Sequence, residues 1–210
     1  MQRTEPRLAV IRGLRRDDVD DATLATEAAA GDPAAAGAVW DRYSGLVRGV
    51  LRRSLGDRDV DDHVQEVFLR FFHCVGELRD PSALRCFLIG IAMRVAGTEL
   101  RRRRVRRWLS FGPTEDLPER ATAPLDATAR EALLRLYAIL DKCDPDTRLL
   151  FTARFVERLE LTEVATVFGV SLATVKRRLA RVSERVFGMA RRDAALVSYL
   201  ENAGTLEGTS

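Results

Sequence analysis

The sequence predicts an all-α protein made of two helical domains joined by a flexible linker. Apolar residues recur at intervals of three and four through most of the chain, which is the spacing of one face of a helix. Candidate capping residues and Gly or Pro breakers separate these periodic segments at lengths typical of helices. One stretch, residues 109–127, has three Pro residues and no sustained periodicity, and it divides the helical segments into two groups.

The composition bounds the class of protein. Of the 210 residues, 46% are hydrophobic and 31% are charged, which is enough apolar material for a core. The net charge is only +3, but the basic residues are concentrated and nearly all are Arg. Two His and three Cys without C-x-x-C spacing give little scope for metal or disulfide chemistry, and they fit a reducing cytoplasm. No apolar run approaches the ~20 residues that span a bilayer, so we expect no membrane insertion.

The periodic segments predict five parts of the chain. These are a leader (1–20), a first helical domain (21–108), a linker (109–127), a second helical domain (128–192) and a tail (193–210). Within the first domain, the break at Gly31-Asp-Pro33 separates two helices, with Asp32 as the cap of the second and Pro33 in its first turn.

The next helix begins in an acidic run at residues 57–62, where carboxylates favour the positive end of the helix dipole. Its apolar face carries Val60, Val64, Val67, Phe68 and Phe71, and these residues are predicted to be core. Its other face is charged, and such a face is usually only solvated. Here it is also a candidate for docking a basic protein partner. This second face carries Asp61, Asp62, Gln65, Glu66 and Leu69.

The last helix of the first domain, residues 83–107, ends in a dense basic run. Six of the seven residues from Arg101 to Arg107 are Arg. One interpretation is a solvated basic helix end. Because so concentrated a run repels itself, a polyanion partner is the simpler account. Phe87 and Trp108 are candidate groups for stacking on nucleic-acid bases, although core packing also explains them.

In the second domain, residues 161–179 predict two short helices with a tight turn between them, and Asp144 is the expected cap of the helix that precedes this pair. Thr162 is the expected cap of the first helix, Gly169 ends it, and Ser171 caps the second. Leu172, Val175 and Leu179 are predicted to be buried, which leaves a basic face exposed. This arrangement is a helix-turn-helix, whose second helix enters the major groove of DNA. The alternative is a helical hairpin whose basic face is only solvated.

Three stretches, in this order, resemble the extracytoplasmic-function (ECF) group of bacterial sigma factors. The stretch Asp62–Arg70 is similar to the region 2 pattern D-x-x-Q-E-V-F-x-[KR] of that family. The family has F-x-x-W-L-x-x-I-A in its next helix, and residues Phe87–Ala92 correspond to the W-L-x-x-I-A part of this pattern. Residues Glu99–Arg102 stand where the family has E-L-R-R. Residues Glu163–Leu179 follow the region 4 helix-turn-helix. The resemblance covers about residues 21–190.

The resemblance implies a protein without catalytic residues, metal or cofactor, which directs bacterial core RNA polymerase to promoters and helps to open the −10 element. Docking on the β′ clamp helices would use Asp61, Asp62, Gln65, Glu66 and Leu69. Contacts with the −10 element would use Arg85, Phe87, Arg94, Thr98, Arg101, Arg102, Arg103 and Arg104. Contacts with the −35 element would use Ser171, Thr174, Lys176, Arg177, Arg178 and Arg181. Region 4 would also touch the β flap, and many relatives are held inactive by an anti-sigma factor.

The chain departs from the family pattern at four positions. Phe87 stands where the family usually has Trp, and Arg94 stands where it has Asn near the −10 pocket. A bulky cation in place of that amide changes the base that the pocket is expected to hold. Gly90 and Gly97 weaken the helix that contains them by roughly 1 kcal/mol each relative to Ala.

Two alternatives compete with this interpretation. The first is a helix-turn-helix regulator that binds duplex DNA without directing initiation. Such a regulator needs neither the Asp62–Arg70 stretch nor the Arg-rich helix. The second is an enzyme such as a site-specific recombinase, but no constellation of Ser, Tyr or carboxylate residues supports one. The set His63, His73, Cys74 and Cys86 matches no common zinc spacing.

Overall fold

The computed structural model describes residues 19–56, 59–109 and 127–199, and in these ranges every regular element is helical, as the sequence predicts. The first group contains α1 (Asp21–Ala29), α2 (Pro33–Leu55), α3 (Asp61–Cys74) and α4 (Leu84–Leu109), with short 3₁₀ turns at Val75–Glu77 and Pro81–Ala83. The second group contains α5 (Ala127–Asp141), α6 (Pro145–Phe151), a π-helical segment (Thr152–Val156), α7 (Leu161–Phe168) and α8 (Leu172–Ala190).

Some predictions fall beyond these ranges. Residues 194–199, within the predicted tail, form one more helical segment. Nearly all of the predicted leader and linker, the end of the tail and the side chain of Trp108 lie outside the described part of the chain.

Predicted caps explain where two of the helices begin. Asp32 accepts a hydrogen bond from the Ala34 backbone N–H at 2.9 Å, and Pro33 occupies the first turn of α2. Asp144 accepts a hydrogen bond from the Thr147 backbone N–H at 2.9 Å at the start of α6. Such acceptors satisfy backbone N–H groups that have no partner within the helix. Both helix starts are confirmed.

The predicted cap of α7 is wrong. The helix begins at Leu161, with Glu160 rather than Thr162 at the capping position. The Glu160 backbone N–H donates to Oε2 of Glu163 at 2.7 Å, which is one half of a capping box. Gly169 ends the helix as predicted, because its φ of 61° lies in the left-handed region that glycine adopts without strain.

The predicted start of α8 is confirmed, but one of its expected core residues is not. The hydroxyl of Ser171 accepts a hydrogen bond from the Thr174 backbone N–H at 3.2 Å. Val175 and Leu179 are buried, whereas Leu172 is 38% exposed. Leu172 is the first residue of the helix, where the chain has only begun to turn toward the core.

The two helical groups pack directly on each other. Helix α4 of the first group contacts both α6 and α7 of the second. The buried apolar side chains of the two groups therefore belong to one continuous cluster. The largest fully buried side chains from both groups include Leu51, Phe71, Leu88, Ile91, Leu140 and Leu159.

The π-helical segment holds a buried hydroxyl that makes no hydrogen bond within the described residues. Thr152 is fully buried, and its Oγ1 lacks a partner. A buried hydroxyl without a partner costs about 1–3 kcal/mol. We expect Thr152→Val to raise the free energy of unfolding by about 1 kcal/mol in urea denaturation.

A second threonine provides the matched control for this prediction. The Thr147 hydroxyl donates to Oδ2 of Asp144 at 2.7 Å, so the change Thr147→Val removes a formed hydrogen bond. It should lower the free energy of unfolding by about 1 kcal/mol. If Thr152→Val lowers the free energy of unfolding as much as Thr147→Val does, the Thr152 hydroxyl has a hydrogen-bond partner.

Candidate nucleic-acid and protein interfaces

The outer face of α3 gathers the side chains predicted to dock a protein. At 3.6 residues per turn, these side chains share one half of the helix circumference, and the buried Val64, Val67, Phe68 and Phe71 occupy the other. Leu69 is 72% exposed, so its apolar side chain contributes little to the core. The face consists of Asp61, Asp62, Gln65, Glu66 and Leu69.

Two of these carboxylates also have partners inside the protein. Asp61 forms an ion pair with Arg48 of α2. Oε1 of Glu66 accepts a hydrogen bond from Nη2 of Arg70 at 2.5 Å, one turn further along α3. Asp62, by contrast, is exposed on the same face. A partner protein could therefore contact Asp62 without first breaking the ion pair of Asp61 with Arg48 or that of Glu66 with Arg70.

The apolar part of this face is larger than the sequence predicts. Phe72 follows Leu69 by three residues, so it lies on the same side of α3, and it is 38% exposed. Trp40 contacts Phe68 at a ring-centroid distance of 4.6 Å and remains 37% exposed. The i, i+3 spacing of Leu69 and Phe72 was the signal that could have identified this extension.

Helix α4 places only some of the predicted −10 residues on one face. Arg94, Thr98 and Arg101 share a side of the helix, and all three are exposed. Phe87 lies on the same side but is half-buried, and its ring packs edge-on against Phe71 at 6.3 Å. Core packing therefore accounts for much of the Phe87 ring.

Arg85 is separated from that face. It is nine residues from Arg94, so the two side chains leave α4 roughly 180° apart. Arg85 is instead close enough to Tyr43 of α2 to affect its pKa electrostatically. Burial, followed by the hydrogen bond to Asp21, raises the pKa of Tyr43 well above its ordinary value. The structure thus does not bring Arg85 together with the other −10 candidates.

The Arg run at the end of α4 is partly neutralised by Glu99. Oε1 of Glu99 accepts hydrogen bonds from Nε of Arg103 at 2.8 Å and from Nη2 of Arg106 at 3.0 Å. Burial raises the pKa of Glu99, but the hydrogen bond and the charges of these two Arg residues outweigh it and hold the pKa below its ordinary value. Arg102 and Arg104 are exposed, so they present their charge more directly to solvent.

The second helix of the helix-turn-helix, α8, presents Arg177 at the centre of its outer face. Arg177 lies opposite the buried Val175 and Val182, and it is exposed. Lys176 and Arg178 leave the helix on the two flanks of Arg177, roughly 160° apart. When a helix lies in the major groove, its outer face meets the base edges and each of its flanks lies beside a phosphate backbone. The three successive cations match that geometry.

The remaining predicted residues of α8 have distinct settings. Arg181 lies on the flank of Arg178, and both line a cleft of ≈ 470 Å³ against α6. The hydroxyls of Ser171 and Thr174 lie 2.9 Å apart and hydrogen-bond to each other. These two hydroxyls therefore take part in the N-terminal cap of α8, in addition to any contact that they make with a ligand.

Among the described residues, none of the helices combines the length and the apolar character needed to cross a bilayer.

Comparisons with known proteins relate both helical groups to one family. The profile described as Sigma-70 region 2 matches residues 39–106, and the profile described as Sigma-70, region 4 matches residues 133–186. The first match contains α3 and most of α4, and the second contains the helix-turn-helix. Together they cover more than half of the chain.

Similar individual proteins belong to the same class. The RNA polymerase sigma factor CnrH of Cupriavidus metallidurans is 29% identical over 178 residues, which cover 79% of this chain and 92% of CnrH. The ECF RNA polymerase sigma-E factor of Escherichia coli strain K12 is 24% identical over 182 residues, covering 81% and 94%. The solved structure of CnrH with the cytosolic domain of CnrY aligns with a TM-score of 0.59 at 25% identity, covering 83% of this chain and 99% of that one.

Proposed function

The chain belongs to the sigma-70 family, as an ECF RNA polymerase sigma factor with region 2 and region 4 domains, and from this premise we propose which of its surfaces bind polymerase and which bind promoter DNA. Sigma factors are subunits of RNA polymerase and not enzymes. This membership removes both the recombinase and the regulator that binds DNA without directing initiation.

In this proposal, the outer face of α3 docks on the clamp helices of the polymerase β′ subunit. The observation that carries the assignment is the exposure of an acidic and apolar surface on one helix side, with Leu69 72% exposed beside Asp62. Exposed apolar side chains rimmed by polar ones are typical of protein interfaces. Asp61, Gln65 and Glu66 complete the face, and Phe72 extends it.

Region 4 binds duplex DNA at the −35 element through α8, and it touches the β flap. Arg177 points toward base edges, since it is central on the outer face of the helix. Lys176, Arg178 and Arg181 lie on the flanks and contact phosphates. Ser171 and Thr174 mark the helix N-terminus, where backbone N–H groups favour a phosphate.

Region 2 binds the −10 element through α4. Arg94, Thr98 and Arg101 form its face toward the melted strand, and Phe87 supports that face from the core. Arg102, Arg103 and Arg104 supply charge along the backbone, which is the general requirement for holding a single strand. Arg85 faces the α2 side of the domain, so we assign it no more than long-range attraction.

We further propose the domain limits 21–108 and 128–192, with a leader, linker and tail at 1–20, 109–127 and 193–210. These limits contain both profile matches. The protein acts in the cytoplasm, where polymerase and promoters are. CnrH has been solved with the cytosolic domain of CnrY. By analogy, an anti-sigma factor is a candidate partner of this chain.

A run-off transcription assay tests the proposal as a whole. The purified chain is added to bacterial core polymerase on a library of genomic promoters, with core polymerase alone as the control. We expect new transcripts, and the DNA upstream of their start sites should share common −10 and −35 sequences. Promoter-independent transcripts alone would contradict the proposed promoter contacts.

The charge of the α4 run gives a more local prediction. Each phosphate contact contributes about −0.7 to the slope of log affinity against log salt for single strands. Replacing Arg102 and Arg104 by Ala should therefore make the slope shallower by about 1.4 in anisotropy titrations with the −10 strand. The matched variant Arg103→Ala should change it less, since Glu99 already holds that cation. A slope unaffected by the double substitution would remove the run from the −10 contact.

A further inference from the structure

The cleft between α6 and α8 is a feature of region 4 that DNA binding alone does not explain. Its volume of ≈ 470 Å³ lies within the ~300–1,000 Å³ that small-molecule sites commonly have. Its walls are one side of α6 and one side of α8, and the turn of the helix-turn-helix contributes Phe168 and Val170. The cleft therefore has room for a small ligand of its own.

The floor of this cleft is apolar. Leu150 of α6 lines it together with Val175 and Val182 of α8, and all three side chains are almost fully buried. Phe168 is only half-buried, so part of its side chain faces the cleft. A ligand that fills the cleft therefore needs an apolar part, and a flat aromatic ring can pack against Phe168.

Three arginines of α8 line the same cleft. Arg178, Arg181 and Arg185 follow each other at intervals of four residues or fewer, so they form one row along the helix. From Arg178 to Arg185 this row extends about 10 Å, at roughly 1.5 Å per residue. Because guanidinium groups bind phosphate oxygens through paired hydrogen bonds, such a row suits a ligand with several linked phosphates.

The charges of this row are accessible to a ligand. Arg178 and Arg181 are exposed, and neither forms an ion pair within the described part of the chain. Nη1 of Arg185 lies 3.6 Å from Oδ2 of Asp144, but the two side chains are 54% and 39% exposed. An exposed pair of this kind contributes little stability, so a phosphate can replace the carboxylate as the partner of Arg185.

The DNA backbone would use only part of this site. In the function proposed above, Arg178 and Arg181 contact phosphates of the −35 duplex, and Arg185 has no assigned role. The backbone offers phosphate and sugar, whereas the floor and Phe168 suit an apolar ring. A ligand that carries both a phosphate chain and a flat ring would use the whole site.

We propose that this cleft binds a purine nucleoside triphosphate, with its phosphates on Arg178, Arg181 and Arg185 and its base against Phe168. One phosphate cannot reach both ends of the row, whereas a triphosphate contacts at least two of its guanidinium groups. A purine covers more of the apolar floor than a pyrimidine, because it has two rings. Asp146 also lines the cleft, but it is 81% exposed and forms an ion pair with Arg101 at 3.5 Å, which reduces its repulsion of the phosphates.

The nucleotide and the −35 duplex would compete for two arginines. This consequence rests on the function proposed above for Arg178 and Arg181, whereas binding of the nucleotide itself does not. At about ten times its dissociation constant, the nucleotide should lower the apparent affinity for the duplex by about tenfold. The concentration of nucleotide would then regulate recognition of the −35 element.

Isothermal titration calorimetry of the full chain with ATP, in the absence of DNA, tests the site directly. We expect saturable binding of one ATP per chain. Inorganic triphosphate lacks the base and adenosine lacks the phosphates, so each should bind at least about tenfold more weakly. Without saturable binding of ATP there is no nucleotide site. Equal affinities for ATP and inorganic triphosphate would overturn the role of the apolar floor.

Two variants locate the nucleotide in the cleft. Arg185→Ala should weaken ATP binding by about tenfold, since it removes a charged hydrogen-bond donor. Phe168→Leu keeps an apolar side chain but removes the ring, so it should weaken ATP binding and leave inorganic triphosphate unaffected. Arg192→Ala is the control, because it removes the same charge outside the cleft. An Arg185→Ala variant that binds ATP as tightly as Arg192→Ala does would overturn the assignment.

Competition is measured by the anisotropy of a labelled −35 duplex at constant ionic strength. ATP should displace the duplex from the parent chain, and Arg185→Ala should require about tenfold more ATP for the same displacement. Arg185→Ala should itself bind the duplex as Arg192→Ala does. If ATP binds in calorimetry but does not displace the duplex, the shared use of Arg178 and Arg181 is wrong, while the nucleotide site stands. If the chain binds ATP but no duplex, only the −35 assignment fails.

Discussion

Replacing Asp62 by Lys and Leu69 by Glu together should weaken binding to core RNA polymerase by at least about 100-fold, or some 2.8 kcal/mol at 1.4 kcal/mol per tenfold change. Truncating a hot-spot side chain near the centre of an interface costs about 2 kcal/mol or more, and placing like charges against each other costs several more. Both residues are exposed and neither belongs to the core. The substitutions should therefore leave the fold intact, and the loss should appear in a quantitative pull-down or by interferometry.

The choice of these two residues follows from the ion pairs of α3. Reversing Asp61 or Glu66 would also place a cation against Arg48 or Arg70, and the effect on binding would be mixed with an effect on stability. The control variant Asp41→Lys/Val105→Glu makes the same two kinds of change at other exposed positions of region 2. Polymerase affinity equal to that of the control would place the docking surface elsewhere.

Replacing Arg177 by Ala should weaken binding to duplex carrying the −35 element by about 10- to 100-fold, since a good bidentate contact contributes roughly 1–3 kcal/mol of base discrimination. The loss should be largest for the correct sequence, because Arg177 is central on the outer face of α8 and faces bases. Arg178→Ala should act differently. It should weaken binding uniformly across sequences and reduce the salt slope by about 1, because Arg178 lies on the flank.

Arg192→Ala is the matched control for both variants of α8. It removes the same charge at an exposed position beyond the end of the helix. Its effect should be confined to a small, sequence-independent loss. If Arg177→Ala behaves like Arg192→Ala in competition with scrambled duplexes, base reading by Arg177 is excluded.

Local features of this fold could be read from the sequence because their causes are local. Asp32, Asp144, Gly169 and Ser171 act through backbone groups a few residues away, and each is found where predicted. The face of α3 follows from helical period alone. The cap of α7 differs from the prediction, because Thr162 is a common capping residue, whereas the helix begins with the pairing of Glu160 and Glu163.

Contacts between distant parts of the chain could not be predicted in this way. In the sequence alone, Gly90 and Gly97 only weaken α4. The reason for having glycine at these positions is the close approach of α6 and α7 from the other domain, which the sequence does not show. Glu99 was one acid among many Arg residues, and only the folded helix shows which two cations it holds. The sequence groups Arg85 with the other Arg residues of α4, but the helical period places it on the opposite side of the helix from Arg94.

The central claim, that this chain directs polymerase to open promoters through separate polymerase and DNA surfaces, is tested most directly by promoter opening. A mapped promoter carries 2-aminopurine in its −10 element, and its fluorescence reports unstacking. We predict that fluorescence rises only when the chain and core polymerase are both present, and that Asp62→Lys/Leu69→Glu abolishes the rise while sparing duplex binding by region 4. Opening that persists in this variant, or that occurs equally with core polymerase alone, would contradict the account.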